Sequence, residues 1–258
     1  MKTALIGYSG FVGQTLLHAA SFEHLYRSNN IQDIVGQSFE LVVCAGAPGQ
    51  KWLANKEPLA DAKSIDSLIS CLESIKTEMF VLISTVDVFG KPVSVDESNA
   101  VETEGLHPYG YNRWRLEQFV QEYFANALIV RLPGLVGPGL KKNIVFDFLN
   151  DNNLHNINAQ DVFQFYPMVH LWNDISKCLE HGLKLVHLTA EPLDVARVAK
   201  EAFGLDFENT LPRPAIRYDF RSLHADIWGR KDYQYSAEAS LAAIREYALT
   251  EPKRMKQA

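Results

Sequence analysis

Short apolar runs alternate with longer amphipathic segments along much of the chain. Runs with the length and composition of buried strands occupy Thr3–Ile6, Leu41–Gly46, Phe80–Ser84, Ala127–Leu132 and Leu183–Thr189. Near-continuous apolar runs of this kind are typical of strands that are covered on both faces of a sheet.

Amphipathic helices are predicted between and after these runs, because apolar residues there recur three or four positions apart. They follow the first strand, cover Ser64–Ile75, follow Tyr109, run from Val195 to a stop at Gly204, and run from about Ala237 to Tyr247. Strands that alternate with helices indicate βαβ units and a mostly parallel α/β sheet. The pattern loosens after Gly139, which indicates a smaller lobe built from later parts of the chain.

Composition and charge exclude several classes of function. Of the 258 residues, 47% are hydrophobic, which predicts a folded protein with a sizeable core. The formal net charge is −6 and no basic block stands out apart from KRMK at Lys253–Lys256, so we expect no nucleic-acid or anionic-membrane partner. No apolar stretch reaches the roughly 18 residues of a membrane span.

The three cysteines, Cys44, Cys71 and Cys178, are far apart and show no metal-ligand spacing. The eight histidines show no paired spacing either, so no metal site is expected. We expect a reduced, cytoplasmic protein. Hydrolase chemistry has no support, because no G-x-S-x-G elbow is present.

The glycine-rich segment GYSGFVG at Gly7–Gly13 joins the first predicted strand to the first predicted helix. A G-x-x-G-x-x-G pattern permits a tight turn and a close approach of the backbone to a pyrophosphate. The helix that follows would offer free N–H groups and its positive dipole end to the same anion. We therefore predict cofactor contacts at Gly7, Ser9, Gly10, Phe11, Val12 and Gly13. A P-loop is excluded because Gln14 stands where lysine is required. The alternative is a turn that serves helix packing alone.

The segment HLYRSNN, at positions 24–30, falls where many dinucleotide sites carry an acidic residue for the ribose hydroxyls, about 20 positions after the first glycine. No carboxylate lies between Leu25 and Ile31, and Arg27 stands at the expected place beside Ser28. A guanidinium there favours the 2′-phosphate of NADP(H) over the unmodified ribose of NAD(H). The alternative is a solvated loop without a ligand.

In chain order, the segments GYSGFVG, VVCAGAP, ISTVDVFG, HPYGYNRWRLE, IVRLPGLVGPG and VHLWNDI resemble the extended short-chain dehydrogenase/reductase family. The match at Arg131–Gly139 is quite specific, since the family shows R-x-x-x-x-x-G-P-G at this place. The resemblance covers almost the whole chain. It implies a Rossmann-type, doubly wound parallel sheet with a small C-terminal substrate-binding lobe.

The resemblance also implies a catalytic set. Thr85 takes the position of the family's hydroxyl residue and Tyr109 that of its acid/base tyrosine. Arg113 stands where the family has a lysine, four residues after the tyrosine and on the same helix face. An arginine keeps the positive charge that would lower the tyrosine pKa, but it is not a compact ammonium. Activity is therefore in question.

Two alternatives to this set remain open in the sequence. Tyr111 and Arg115 have the same spacing of four, although Tyr109 fits better because it follows His-Pro and precedes Gly, and because Glu117 falls where a family glutamate often lies. In the other alternative, Tyr109 only packs the helix on the sheet and Arg113 pairs with a surface carboxylate.

The resemblance implies further contacts at lower specificity. Cys44, Ala45 and Gly46 would line the cofactor, and Pro133 and Val136 would approach its nicotinamide. Asp87 resembles an acidic residue of some family members, although it could instead cap the loop. Asn143 is a candidate substrate contact. The family's asparagine in the helix after its third parallel strand has no counterpart in SIDSLIS at Ser64–Ser70.

These expectations combine into one functional hypothesis. Residues 1–140, completed by about 166–190, would form a dinucleotide-binding domain, and residues 141–165 and 191–258 a substrate-binding lobe. The family resemblance implies an NAD(P)-dependent enzyme, a reductase before an epimerase, acting on a nucleotide sugar or a similar hydroxy-carbonyl compound. A homodimer is expected by the same resemblance. The alternative is a dinucleotide-binding sensor or scaffold protein without turnover.

Overall fold

The computed structural model describes residues 2–253, so the last part of the basic tail at Lys253–Lys256 and of the predicted lobe lies outside the described residues. In chain order the strands are β1 (Thr3–Ile6), β2 (His24–Tyr26), β3 (Ser38–Cys44), β4 (Lys76–Thr85), β5 (Val93–Val95), β6 (Ala127–Leu132), β7 (Gly134–Val136), β8 (Val162–Phe163), β9 (Phe165–Pro167), β10 (Leu185–His187), β11 (Leu193–Asp194) and β12 (Asp219–Phe220).

The α-helices, in the same order, are α1 (Phe11–Ala19), α2 (Lys51–Lys56), α3 (Pro58–Leu72), α4 (Pro108–Tyr123), α5 (Ile144–Asn150), α6 (Leu171–Glu180), α7 (Val195–Phe203) and α8 (Ala237–Thr250). Short 3₁₀ turns link several of these elements. No helix within residues 2–253 is both long enough and apolar enough to cross a membrane.

The chain divides into two compact units. The first contains residues 2–90, 99–132 and 171–187, and the second contains residues 91–98, 133–170 and 188–253. The first unit holds a six-stranded sheet in the order β10-β6-β4-β3-β1-β2, and every pairing in it is parallel. This is the doubly wound α/β fold that the sequence predicts.

Both faces of this sheet are buried. On one face, alternate strand residues such as Ile6, Val42 and Leu82 join a core with apolar residues of α3 and α4, which pack against each other. Successive residues of a strand point to opposite faces, so their neighbours Leu5 and Val43, which are also fully buried, face the other way. The helices α1 and α6 form a second packed pair in this unit.

The second unit consists of two-stranded pairings and three helices. β7 pairs in parallel with β9, β8 pairs antiparallel with β11, and β5 pairs in parallel with β12. The helices α7 and α8 pack on each other, and α5 packs on α7. Gly204 ends α7 in the left-handed conformation with φ +69°, as the sequence predicts for a helix stop.

The predicted elements are present, and their ends differ by a few residues. β4 begins at Lys76 rather than Phe80, and α3 begins at Pro58 rather than Ser64, because Pro58 sits in the first turn, where its missing N–H costs no hydrogen bond. The predicted strand at Leu41–Gly46 ends instead at Cys44, immediately before the carbonyl of Ala45 against which Gly7 packs.

Candidate active site

The carboxyl ends of β1, β3 and β4 bring the predicted cofactor and catalytic residues to one edge of the sheet. β1 continues into the glycine turn, β3 into residues 45–50, and β4 ends at Thr85. The chain goes from β1 to β2 on one side and then to β3 on the other side of β1. Ligands of open α/β sheets bind at such a switch point, outside the carboxyl ends of the strands.

Two of the three turn glycines are required by the fold itself. Gly7 has φ +84°, and a Cβ there would lie 2.3 Å from the carbonyl oxygen of Ala45. A Cβ on Gly13 would lie 2.2 Å from the carbonyl oxygen of Gly7. Gly10 differs, because the nearest atom to its Cβ would be the same Gly7 oxygen at 3.4 Å, an ordinary contact.

The start of α1 therefore fits the pyrophosphate of a dinucleotide. Gly10 is the N-cap residue and makes no side-chain hydrogen bond to the helix. Ser9 and Gly10 are exposed, while Phe11 and Val12 are partly buried behind them. The first N–H groups of a helix have no partner within it, and they attract an anion to this place. Since no packing contact requires glycine at position 10, the close approach of a ligand to the backbone would explain a glycine there.

Arg27 and Ser28 lie directly beyond the carboxyl end of β2, beside the glycine turn. The register pairs Tyr26 with Ile6, and the Tyr26 carbonyl accepts a 2.7 Å hydrogen bond from the N–H of Gly7. Arg27 and Ser28 are exposed. The Arg27 guanidinium lies 5.7 Å from the centre of the Tyr8 ring. β2 thus has the register that the prediction for Arg27 assumed.

The segment after β3 presents backbone rather than a thiol. Cys44 is fully buried in the hydrophobic core, and burial raises its pKa to about 11. Ala45 and Gly46 are the partly exposed residues of the predicted contact. Any contribution of Cys44 to a ligand would therefore come through its backbone.

Thr85 and Tyr109 are brought together at the end of β4. Tyr109 is the second residue of α4, which begins with Pro108 at a position that needs no N–H partner. The Tyr109 N–H donates to the Asn55 side chain at 3.0 Å, which fixes the start of the helix. The Tyr109 side chain is 9% exposed, and its phenol lies close enough to the Thr85 side chain for Thr85 to lower its pKa.

The pKa of Tyr109 is raised to about 12, mainly because burial disfavours the charged phenolate. Arg113 and, to a smaller extent, Thr85 lower this pKa, whereas Asp87 and Asp61 raise it. The effect of Arg113 thus has the direction expected from the sequence, and burial of the phenol outweighs it. Tyr109 is a neutral phenol at physiological pH.

The glycine after the tyrosine allows a close backbone approach. A Cβ on Gly110 would lie 2.0 Å from the carbonyl oxygen of Asp87, so only glycine lets α4 pack this tightly on the turn after β4. The Gly110 N–H donates to Nδ1 of His107 at 3.0 Å, and His107 thereby caps the helix. Burial, followed by the Lys51 charge, lowers the pKa of His107.

Arg113 is buried and points its charge inward. Its guanidinium forms an ion pair with Asp61, donates to the Pro48 carbonyl and lies 4.0 Å from the centre of the Tyr109 ring. The side chains of Arg113 and Asp61 are only 3% and 4% exposed, and Asn112 donates to the same Asp61 carboxylate at 2.8 Å. A surface carboxylate was the alternative partner expected for Arg113, but the carboxylate that it contacts, Asp61, is buried.

The guanidinium of Arg113 is nevertheless incompletely satisfied. Its Nε is buried and has no hydrogen-bond partner among residues 2–253. An unmade hydrogen bond of a buried charged group costs on the order of 1–3 kcal/mol. Arg113 is thus held in place by Asp61 and Pro48 rather than by a complete set of partners.

A second cation, Lys51, lies near Thr85 and is linked to it through Asp87. The Lys51 ammonium donates to Oδ1 of Asp87 at 2.7 Å, and the Thr85 hydroxyl lies 3.4 Å from Oδ2 of Asp87. The Asp87 N–H donates back to the Thr85 hydroxyl at 3.1 Å, so Thr85 caps the short turn that follows β4. Asp87, predicted from the resemblance alone, is therefore in direct contact with Thr85.

A buried network of hydrogen bonds and an ion pair contacts the end of β4 at Ser84. Glu117 is fully buried, accepts a 2.5 Å hydrogen bond from Ser84 and pairs with Arg131 at 2.6 Å. Arg131 also lies 5.1 Å from the centre of the Phe89 ring and contacts His187 at 3.4 Å. This network joins β4, α4, β6 and β10 directly behind the Thr85–Tyr109 pair.

The alternative pair Tyr111 and Arg115 has a different environment. Tyr111 is 41% exposed, and Arg115 pairs with the exposed Asp66 at 2.7 Å. The structure joins Thr85 to Tyr109, the tyrosine that the sequence favoured.

Three residues of the site escaped the sequence analysis: Asp61, Asn55 and Lys51. Asp61 is separated by about 50 positions from its partners in α4, and no motif connects them. Asn55 lies in α2, ahead of the helix in which an asparagine was sought, and its amide oxygen is occupied by the Tyr109 backbone. The sequence could have indicated Lys51, because it closely follows the segment AGAPG, which contains the predicted cofactor contacts Ala45 and Gly46.

Three predicted contacts belong to the second unit. Pro133 and Val136 are buried, and Val136 lies in β7, paired with β9. Asn143 has φ +93° and caps α5, since its side-chain oxygen accepts from Val145 and its amide donates to the Leu135 carbonyl at 2.8 Å. The Asn143 side chain is thus engaged by backbone, which argues against the predicted substrate contact.

No protein-family model matches the sequence, and the comparison with curated proteins finds no match. Solved structures do match. A dTDP-4-dehydrorhamnose reductase from Bacillus anthracis in complex with NADP is 18% identical, with a TM-score of 0.72 over 97% of this chain and 99% of that chain. The chain shares the Rossmann-type α/β fold of this reductase and of other solved structures.

Two epimerases show the same likeness. UDP-glucose 4-epimerase from Thermotoga maritima, solved with UDP-glucose, is 17% identical with a TM-score of 0.69 over 96% of this chain and 98% of that chain. UDP-glucuronic acid 4-epimerase from Bacillus cereus, a tyrosine-to-phenylalanine mutant solved with NAD and a fluorinated UDP-sugar, is 15% identical with a TM-score of 0.69 over 96% and 99%. At these identities the likeness shows the fold, and the activity has to be argued from the site.

Proposed function

We propose that the protein is an NAD(P)-dependent reductase that acts on a carbonyl group of a nucleotide-linked sugar, with NADP(H) as the preferred cofactor. The observation that carries this proposal is the proximity of Thr85 and Tyr109, at the same sheet edge as the glycine turn. A neutral tyrosine with a hydroxyl partner is a proton donor next to a dinucleotide site.

The protonation state of Tyr109 favours reduction over epimerisation. A bound reduced nicotinamide would supply a hydride to the carbonyl carbon of the substrate. Tyr109 then gives its proton to the carbonyl oxygen, while the Thr85 hydroxyl hydrogen-bonds that oxygen. With a pKa raised to about 12, Tyr109 holds its proton at neutral pH and suits this step. An epimerase needs the same group as a base in its oxidation step, which this pKa disfavours.

The cofactor assignment rests on the residues of the first unit. The start of α1, with Gly10 open to a ligand, would hold the pyrophosphate. Arg27 and Ser28, exposed beyond β2, would hold the 2′-phosphate. Solved neighbours in complex with NADPH, NADP and NAD support a nicotinamide dinucleotide, and Arg27 supports the phosphorylated form.

The substrate class rests on the neighbours. One neighbour is a dTDP-4-dehydrorhamnose reductase and another was solved with UDP-glucose, so a nucleotide sugar is the substrate class we propose. Asp87 is a further polar residue beside the proposed acid, through its contact with Thr85.

The proposal is tested first by binding. Purified protein is titrated with NADPH and with NADH, and tryptophan quenching and nicotinamide emission are recorded. We expect tighter binding of NADPH, with enhanced nicotinamide emission. Arg27→Ala should weaken NADPH binding and leave NADH binding nearly unchanged. Equal loss of both would contradict the role of Arg27, and binding of neither by the unmodified protein would refute the proposed function.

A dinucleotide-binding protein without turnover is the second candidate. The observation in its favour is the Arg113–Asp61 pair, which neutralises the charge at the position of the family lysine. A screen of nucleotide 4-keto sugars with NADPH separates the two candidates. Turnover that is lost in Tyr109→Phe and kept in Tyr111→Phe supports the reductase. Cofactor binding without turnover of any substrate supports the second candidate.

A further inference from the structure

Lys51 is a partly exposed cation at the proposed active site. It is the first residue of α2 and follows the segment 45–50 that leaves the carboxyl end of β3. Its ammonium donates to Asp87 at 2.7 Å, and Asp87 contacts the Thr85 hydroxyl. The Asp87 side chain thus links the Lys51 ammonium to the Thr85 hydroxyl, which lies beside Tyr109.

Lys51 and Arg113 differ in how their charges are used. The Arg113 side chain is 3% exposed, and its charge is compensated by a buried carboxylate. The Lys51 side chain is 41% exposed, while its partner Asp87 is 16% exposed. An ammonium has three donors, and among residues 2–253 the hydrogen-bond partner of Lys51 is Asp87 alone. Lys51 therefore has donors left for a ligand.

The order of the strands decides which part of a dinucleotide Lys51 would meet. A doubly wound sheet binds the two mononucleotide halves on either side of the switch point. Arg27 follows β2, on one side of β1, whereas Lys51 follows β3, on the other side. If Arg27 marks the adenosine half, the segment after β3 faces the nicotinamide half.

We propose that Lys51 binds the nicotinamide-side ribose of the cofactor, donating hydrogen bonds to its hydroxyl groups while Asp87 holds the ammonium in place. This inference rests on the proposed function, since it requires a dinucleotide at the sheet edge. Lys51 would supply the compact point charge that the planar guanidinium of Arg113 cannot supply. The carboxylate of Asp87 restrains a long side chain that would otherwise lose entropy on binding.

Arg113 then has a positioning role in the same arrangement. Its guanidinium donates to the carbonyl of Pro48, three residues before Lys51 in the chain. The buried ion pair with Asp61 anchors that guanidinium. Arg113 thus fixes the segment from which Lys51 reaches the ligand, while Lys51 makes the contact.

The test compares a whole cofactor with a fragment that lacks the nicotinamide half. The ligands are NADPH and adenosine 2′,5′-bisphosphate, or NADH and ADP if the unmodified protein binds NADH more tightly. The variants are Lys51→Met and the control Lys56→Met, an exposed lysine in the same helix. Dissociation constants are measured by calorimetry, and thermal unfolding shows whether each variant keeps the fold.

In Lys51→Met we expect the whole cofactor to bind on the order of tenfold more weakly, the value of one charge-assisted hydrogen bond at a partly exposed site. The fragment should bind as it does to the unmodified protein, and Lys56→Met should bind both ligands normally. Equal weakening of cofactor and fragment, or no weakening, in a folded Lys51→Met protein would overturn the role of Lys51 and leave the proposed function intact. If the unmodified protein binds neither ligand, the proposed function fails and this inference fails with it.

Discussion

The guanidinium of Arg113 lies 4.0 Å from the centre of the Tyr109 ring, one helical turn away, and is paired with Asp61 on its other side. The spacing of four residues brings the two side chains to one face of α4. Because burial of the phenol outweighs the nearby charge of Arg113, the pKa of Tyr109 is raised to about 12 rather than lowered. The arginine therefore positions a neutral proton donor, which a residue at that place can do without contacting a ligand.

Loss of the Asp61 carboxylate should destabilise the protein strongly. Asp61→Asn leaves the guanidinium of Arg113 buried and unpaired, and breaking one partner of a buried ion pair costs about 3–5 kcal/mol. The free energy of unfolding in urea measures the effect. Asp66→Asn is the matched control, since Asp66 pairs with Arg115 between the same two helices but is 55% exposed, and it should cost no more than about 1 kcal/mol. Equal effects of the two changes would contradict this account of Asp61.

Replacement of Arg113 by lysine should not stabilise the protein. The guanidinium of Arg113 bonds Asp61 and the Pro48 carbonyl at once and stacks on the Tyr109 ring. A single ammonium cannot keep all three contacts, because it lacks the planar fork. We expect Arg113→Lys to lower the free energy of unfolding by roughly 1–3 kcal/mol. An unchanged or higher value in the same urea titration would show that the fork geometry is not what holds this site.

The raised pKa of Tyr109 predicts a specific alkaline instability. The folded protein holds the phenol proton to a pKa of about 12, whereas the unfolded chain releases it near the ordinary value of 10. The contribution of Tyr109 to stability is therefore complete below pH 10 and is lost as the pH rises from 10 to 12, by at most about 1.4 kcal/mol per pH unit.

Tyr109→Phe should remove this dependence. Between pH 9.5 and pH 11, the free energy of unfolding of the variant, each value taken relative to pH 8, should fall less steeply than that of the unmodified protein. Tyr111→Phe, which changes an exposed ring two residues away, should follow the unmodified protein. Parallel curves for all three proteins would mean that the Tyr109 phenol ionises in the folded state as easily as in the unfolded chain.

The parallel sheet could be predicted because its evidence is local. The strands at Thr3–Ile6 and Ala127–Leu132 have the predicted bounds, since an apolar run flanked by turn residues defines a buried strand without knowledge of its neighbours. The Thr85–Tyr109 contact was expected from motif order, which a family resemblance supplies.

The surroundings of that pair could not be predicted, because they depend on contacts between distant segments. Asp61 meets Arg113 across 52 positions, and Lys51 meets Asp87 across 36. No sequence pattern around Asp61 or Lys51 indicates which distant residue each of them contacts. The direction of the Tyr109 pKa shift depends on burial, which the sequence gives only coarsely. Asn143 illustrates the converse, since a polar residue near a predicted lobe turned out to cap a helix.

The three turn glycines should respond differently to alanine. Gly7→Ala and Gly13→Ala would each force a Cβ to within 2.3 Å of a backbone carbonyl oxygen, so we expect both to destabilise the fold.

In Gly10→Ala, the new Cβ would lie 3.4 Å from its nearest neighbour, so the change should cost less than about 1 kcal/mol, the scale of a changed N-cap residue. A methyl group there would instead occupy the open space at the start of α1, where a pyrophosphate would lie. We therefore expect Gly10→Ala to keep nearly the unmodified melting temperature and to weaken dinucleotide binding at least tenfold, the loss of roughly one good hydrogen bond. Calorimetric titration together with thermal unfolding measures both quantities. A variant that melts normally and binds the dinucleotide normally would show that glycine at position 10 serves no ligand.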